Sequence, residues 1–352
     1  MKICLATLIM SFALVQNAFA EITFPNSVYS NLDYGLYWFD YTDAKKAVAG
    51  QNNPYFNPNK KTVIYIHGWQ QNSVTNKRRE TLNRKNGGGP DDDLSGYWLD
   101  RGWNVGILYW NQFADEGNVK HAEAKIHTTA GPQGMRWKKS NGSYGNGPGQ
   151  NVTDLLYTSL VNGLQGFNNS KELRITGHSL GNQLALSISA KLISNNSYRP
   201  DRVALLDPFY SNGGESYYGG KWAGQIAREN NTILKNAGVA IEAYRSSPVT
   251  STLFVGDQNK ALMNQIAFVE LKPWNFNFWQ LAEKHGAAVT HYFWSMDFDP
   301  LTLDRSSSTV PSSAVSNSRI QYWMNSNKRL VQDSGAWSAS PGDDDFKTAN
   351  RL

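Results

Sequence analysis

This sequence predicts an α/β fold: a mostly parallel central sheet with helices on both faces. Three observations carry that expectation. Short apolar, β-branched runs alternate along the chain with helical patterns. Several of these runs stop at corners holding His, Ser or Asp, as strands do when the loops after them bear function. The length that remains after a leader, about 330 residues, is enough for one large sheet with its own core.

The elements follow in order. Residues 62–66 (TVIYI) form a buried strand ending at His67-Gly68-Trp69, and 105–110 (VGILYW) form another. A helix starts at Asn151, with Val152, Leu155, Leu156, Leu160 and Leu164 on one face. Residues 173–176 make a short strand leading into Gly177, and 180–193 a strongly apolar helix. The run 203–206 (VALL) is a strand ending at Asp207, and strands are also expected at 239–244 and 265–271. A further helix is expected after Gly286. The rhythm breaks at 87–95 (GGGPDDDLS), at 127–150, at 298–317 and after Gly335. No repeat is present and no break separates two cores. The expectation is therefore one domain over 21–352, with irregular insertions near 80–100 and 127–150.

The first twenty residues have the three parts of a secretory signal peptide: the basic Lys2, an apolar run over 5–15, and the cleavage site Ala18-Phe19-Ala20. That run is shorter than the roughly 20 residues a membrane span needs. No second long apolar stretch follows, so no transmembrane anchor is expected. The one cysteine, Cys4, lies inside the leader. An exported chain without disulfides suits a bacterial secreted or periplasmic protein. The absence also excludes thiol chemistry and thiolate metal sites from the mature chain. The net charge of +5 drops to +4 when Lys2 is lost, leaving 33 basic against 29 acidic residues. That mild excess gives no reason to expect a nucleic-acid partner, and the cluster Lys77, Arg78, Arg79, Arg84, Lys85 reads as a solvated helix face.

The chemistry is concentrated in a few segments. Gly177-His178-Ser179-Leu180-Gly181 fits G-x-S-x-G between a strand and an apolar helix, the setting of a nucleophile elbow. There a sharp turn lifts the serine hydroxyl clear of the sheet, above a helix N-terminus that favours negative charge. A serine needs a base to take its proton and a carboxylate to orient that base. In α/β-hydrolases the order along the chain is Ser, acid, His. Asp207 ends a strand 28 residues after Ser179 and precedes Pro208. Asp201 lies at the wrong edge of that strand, and Glu242 falls in mid-strand. Only His285 and His291 follow Asp207. His285, expected in a loop beside Gly286, is the favoured base; His291, expected two turns into the helix, is the alternative. The oxyanion would be held by the backbone N–H of Leu180 and by one at or near Trp69, where Gly68 permits close approach. His67 precedes the acid in the chain and reads as a loop-shaping residue.

Four segments, Ile64-Tyr-Ile-His-Gly-Trp69, Gly177-His-Ser-Leu-Gly181, Ala204-Leu-Leu-Asp-Pro208 and His285-Gly-Ala-Ala-Val-Thr-His-Tyr-Phe-Trp-Ser295, together resemble the pancreatic and lipoprotein lipase family, which includes phospholipases A1. The resemblance covers most of residues 34–296. It implies hydrolysis of triacylglycerol or phospholipid by a triad of Ser179, Asp207 and His285, with Trp69 and Leu180 as oxyanion donors. The family's catalytic His opens a segment with a serine ten residues on, here Ser295, which favours His285 over His291. The chain departs from the family in lacking its disulfides, including the one that frames the lid.

Trp274, Phe276, Phe278 and Trp279 alternate with Asn just before His285, where the family's lid lies. They are candidates for substrate binding, at a lipid surface or along an acyl chain. No His-Glu-x-x-His, calcium loop or phosphate loop is present, so neither metal nor cofactor is expected; Asp91-Asp92-Asp93 and Asp343-Asp344-Asp345 read as solvated acidic loops. The expected function is that of a secreted serine hydrolase of carboxylic esters, most of all lipid esters. Alternatives are an esterase of small soluble esters and a non-catalytic lipid-binding protein on the same fold.

Overall fold

The computed structural model describes residues 22–83, 92–249 and 256–352. The leader and the basic pair Arg84 and Lys85 lie outside them.

Thirteen strands occur among the described residues: β1 (Gly35–Phe39), β2 (Ala44–Lys46), β3 (Thr62–Ile66), β4 (Asn104–Tyr109), β5 (Trp137–Lys138), β6 (Tyr144–Gly145), β7 (Leu173–His178), β8 (Arg202–Leu206), β9 (Ala240–Arg245), β10 (Ala267–Glu270), β11 (Thr302–Leu303), β12 (Lys328–Gln332) and β13 (Asp345–Asn350). Eleven form one sheet in the order β11-β13-β12-β10-β9-β8-β7-β3-β4-β1-β2. From β4 to β12 every neighbour is parallel; β1 runs antiparallel to β4 and β13 antiparallel to β12. The longer helices are α1 (Val119–His127), α2 (Val152–Gly163), α3 (Gly181–Ser194), α4 (Ala223–Asn236), α5 (Leu281–Trp294) and α6 (Asn317–Asn325). This is the α/β-hydrolase fold.

Alternation along the strands divides the interior. Ile64 and Ile66 of β3 join one apolar cluster with Leu156 of α2, Leu184 of α3 and Leu234 of α4. Val63 and Tyr65 face the other, with Tyr292 of α5 and Ile320 of α6. Such two-sided burial explains why β3 reads as a continuous apolar run, all five residues being buried. Asn151 caps α2, its side chain accepting from Asp154 N at 2.9 Å.

Strand order reverses between β3 and β7. The chain leaves β3 toward β4 on one side and leaves β7 toward β8 on the other. In open α/β sheets a crevice forms at the carboxyl ends of strands at such a switch point. His67-Gly68-Trp69 and the elbow at Ser179 are the two loops that meet there.

Several expectations are corrected. Helix α5 begins at Leu281, before His285, not after Gly286. Its first turn carries helix-forming Ala282, Glu283 and Lys284, and Gly286 is buried within it despite a cost of about 1 kcal/mol relative to Ala. The 127–150 stretch is not wholly irregular: β5 and β6 pair as a hairpin, with Trp137 Nε1 donating to Asn146 O at 2.9 Å. Within 80–100, Gly96–Asp100 is a short helix that buries Trp98. The tail after Gly335 supplies β13. Residues 77–79 form no helix, and Arg79 is buried, bound to Asp33 at 2.7 Å and ringed by Phe24, Tyr29, Tyr37 and Tyr109. Asp93 and Asp344, read as solvated, are buried as well.

Candidate active site

Strand β7 ends at His178 and α3 begins at Gly181, leaving Ser179 and Leu180 to make the turn. Ser179 adopts φ +55°, a left-handed conformation that costs a serine about 1–3 kcal/mol and persists only where its surroundings enforce it. They do so here. Ser179 N donates to Leu206 O at 3.1 Å, and its own carbonyl accepts from Asn182 Nδ2 at 2.9 Å. The glycines admit no side chain. A Cβ on Gly181 would lie 2.2 Å from Ile66 O, and one on Gly68 would lie 2.6 Å from Ser179 Cβ. The loop after β3 is thus pressed directly against the serine.

Strand β8 delivers Asp207 to the same edge, at φ +41°. Its buried carboxylate is fully engaged. Oδ1 accepts from Ser246 N at 3.0 Å and Ser247 N at 3.3 Å; Oδ2 accepts from Ser247 Oγ and from His285 Nδ1–H, the latter at 2.5 Å. That bond places the His285 proton on Nδ1 and leaves Nε2 as the basic nitrogen. The Ser247 hydroxyl also lies 3.5 Å from His285 Nδ1. Ser246 Oγ donates to Lys284 O at 2.6 Å, tying the loop after β9 to α5.

The structure therefore joins Asp207 to His285 and sets Ser179 on the neighbouring strand end. No hydrogen bond links Ser179 Oγ to His285 Nε2, a bond that commonly tightens only when substrate is present. His285 lies in the second turn of α5, not in a loop. His291, the alternative base, points elsewhere: its Nδ1 is 3.2 Å from Asp344 Oδ2 and its ring packs by Tyr244 and Phe346. His67 is fully buried, with Nδ1 bonded to Gly68 O at 2.9 Å and Nε2 accepting from Trp110 N at 3.2 Å. Burial lowers its pKa to about 4, so it stays neutral and shapes the β3 loop.

Leu180 is buried at the head of α3, and its N–H donates to no acceptor among the described residues; the same is true of Trp69 N–H. The indole of Trp69 is occupied, donating to Glu116 O at 2.7 Å. Of the four aromatic candidates, Phe278 and Trp279 are 79% and 66% exposed and meet edge to face. Trp274 is half exposed and packs on Trp337 of the C-terminal segment, itself 76% exposed. It also borders a groove shared with Ser246, Ser247 and Lys284, next to the Asp207–His285 pair. Phe276 differs, being buried and lining a small cavity together with Leu271, Thr290 and His291. Among the described residues no cluster of three or more metal-ligating side chains occurs.

Three contributors escaped sequence reasoning: Ser246, Ser247 and His178. The serines directly follow β9, a strand end being the one available signal. His178 stands inside the G-x-S-x-G pattern at a position where any residue satisfies it.

No family model matches the chain, and no curated protein matches it. Solved structures do. The NocB thioesterase domain, in covalent complex with a fluorophosphonate nocardicin G analogue, aligns with 66% of this chain and 96% of its own, at 12% identity and a TM-score of 0.29. LpqC, a poly(3-hydroxybutyrate) depolymerase from Bordetella parapertussis, aligns with 59% of this chain and 63% of its own, at 14% identity and a TM-score of 0.31. The hypothetical protein PA1622 from Pseudomonas aeruginosa PAO1 aligns over 61% and 83% respectively, at 10% identity and a TM-score of 0.32. These likenesses are partial in extent and distant in sequence, and the fold rests on the chain's own strand order.

Proposed function

We propose that this chain is a secreted serine hydrolase of carboxylic esters, acting by preference on lipid esters. The observation that carries this reading is a serine held at φ +55° on a strand–helix turn, beside a His285–Asp207 pair bonded at 2.5 Å. Ser179 Oγ attacks the ester carbonyl while His285 Nε2 takes its proton. Asp207 keeps the imidazole in the Nδ1–H tautomer and stabilises the imidazolium as it forms. The N–H groups of Leu180 and Trp69 receive the oxyanion. His285 then protonates the departing alcohol, an acyl-enzyme remains on Ser179, and His285 activates the water that releases the acid. The chain's own groups supply every step, so no cofactor or metal is invoked.

Two features favour lipid esters. The exposed aromatics Phe278, Trp279, Trp274 and Trp337 form an apolar rim on the segment entering α5 and on the C-terminal segment that braces it. Exposed aromatic clusters of this kind mark sites that meet another apolar surface. The resemblance of the four sequence segments to lipases and phospholipases A1 points the same way. Among the described residues no helix is long and apolar enough to cross a membrane. The proposed export rests on the sequence of the first twenty residues.

Hydrolysis of p-nitrophenyl butyrate and p-nitrophenyl palmitate by the mature protein tests the substrate class. Preference for palmitate is the expected result. Turnover of butyrate alone would make the protein a small-ester esterase, and turnover of neither would leave lipid binding without catalysis.

A further inference from the structure

The proposed nucleophile and base belong to elements far apart in the chain, and proton transfer requires them to meet within hydrogen-bond reach. A misplacement of 1 Å in such a pair can cost about 100-fold in rate. What fixes α5 against the elbow is therefore a functional question. On its Asp207 side α5 is held by His285 Nδ1 to Asp207 and by Ser246 Oγ to Lys284 O. These bonds orient the imidazole and tie the helix to β8 and the loop after β9. Neither touches the segment that carries Ser179.

The elbow has a tie of its own. His178 is the last residue of β7, directly before Ser179, and its register partner on β8 is Leu206, directly before Asp207. Its Nε2 lies 2.9 Å from His285 O. A carbonyl can only accept, so this nitrogen carries the proton and donates. The two imidazoles also pack together, with ring centroids 4.5 Å apart and planes tilted by 45°. His285 O lies within α5, and a carbonyl has two lone pairs, so it can take this bond alongside its helical one. One side chain thus connects the backbone next to the nucleophile with the backbone of the base.

We infer that His178 is a positioning residue: by holding the His285 carbonyl and ring, it sets the separation between Ser179 Oγ and His285 Nε2. The inference rests on the esterase reading for its kinetic consequence, but not for its structural one. It predicts that the residue needs a side-chain N–H at this reach rather than an imidazole as such. Gln should therefore serve where Ala and Phe fail.

The test compares His178→Ala, His178→Phe and His178→Gln with the wild type, using p-nitrophenyl butyrate and, separately, the low-field proton resonance of His285 Nδ1–H. His178→Ala and His178→Phe are expected to lower kcat by about 10- to 100-fold with KM nearly unchanged, and His178→Gln to recover most of that loss. The low-field resonance should broaden or vanish in Ala and Phe and persist in Gln. An Ala variant with wild-type kcat overturns the inference. So does a loss carried by KM, which would make His178 a substrate contact, or a Gln variant as impaired as Ala. If the wild type hydrolyses no ester, the esterase reading falls, and the resonance still decides the role of His178: persistence in Ala overturns it, loss in Ala with recovery in Gln supports it.

Discussion

Ser179 and Asp207 share a feature that ordinary core residues lack. Both are non-glycine residues in the left-handed region, at φ +55° and +41°, each at the end of a parallel strand. Such conformations persist where surrounding bonds over-determine them. For Asp207 these bonds include two backbone N–H groups, the Ser247 hydroxyl and His285. A carboxylate so supplied with donors is fixed in place, as the proposed orienting group must be. Asp207→Asn keeps the shape but offers an amide where the carboxylate oxygen accepted, which favours the wrong His285 tautomer. The variant should fold and lose about 10⁴-fold in kcat toward p-nitrophenyl butyrate. Activity close to wild type would assign the acid elsewhere. At this scale the sequence was informative where chain order restricts the choice: one serine in G-x-S-x-G, one aspartate at a strand end, two histidines after it. It was silent on Ser246, Ser247 and His178, because hydroxyl and imidazole contacts between distant strand ends leave no periodic trace.

At the scale of elements, the site depends on how closely β3 and α3 approach. Gly181 opens α3 against the carbonyls of Ile66 and His67, where an added Cβ would sit 2.2 and 2.6 Å from the two oxygens. Backbone on both sides leaves little room to yield. Gly181→Ala should therefore destabilise the protein by about 3 kcal/mol, the upper end of ordinary overpacking costs, in equilibrium urea unfolding. A change below about 0.5 kcal/mol, the scale of neutral surface substitutions, would show that the two elements can separate freely. Elements buried on two faces, such as β3, β4, β8 and α3, are legible because their apolar runs are long. The sheet's far edge is not. In β13 only Phe346 is buried, and β12 (KRLVQ) buries only Leu330 and Gln332. Strands that bury so little show no run to recognise. The first turn of α5 escaped for the same reason: Leu281 and Ala282 are exposed, so the apolar pattern starts only near Gly286.

For the whole molecule, the switch point between β3 and β7 gathers loops from both halves of the sheet, and the aromatic rim lies on the segment leading into α5. Trp274 N and Asn275 N both donate to Ala336 O, at 2.7 and 3.1 Å, so the C-terminal segment braces that rim. Replacing Phe278, Trp279 and Trp337 together by Ser removes exposed rings without touching the core. This variant should lose most of its binding to phosphatidylcholine vesicles in a sedimentation assay while keeping its turnover of p-nitrophenyl butyrate. Unchanged vesicle binding would detach the rim from lipid recognition. The assignment as a whole turns on Ser179. The most direct measurement is hydrolysis of p-nitrophenyl butyrate and palmitate by the purified mature protein beside Ser179→Ala, with folding of both checked by thermal unfolding. The account predicts turnover by the wild type and a loss of about 10⁶-fold in the variant, as for removal of a triad nucleophile. A folded Ser179→Ala protein that turns over either ester at the wild-type rate would contradict it.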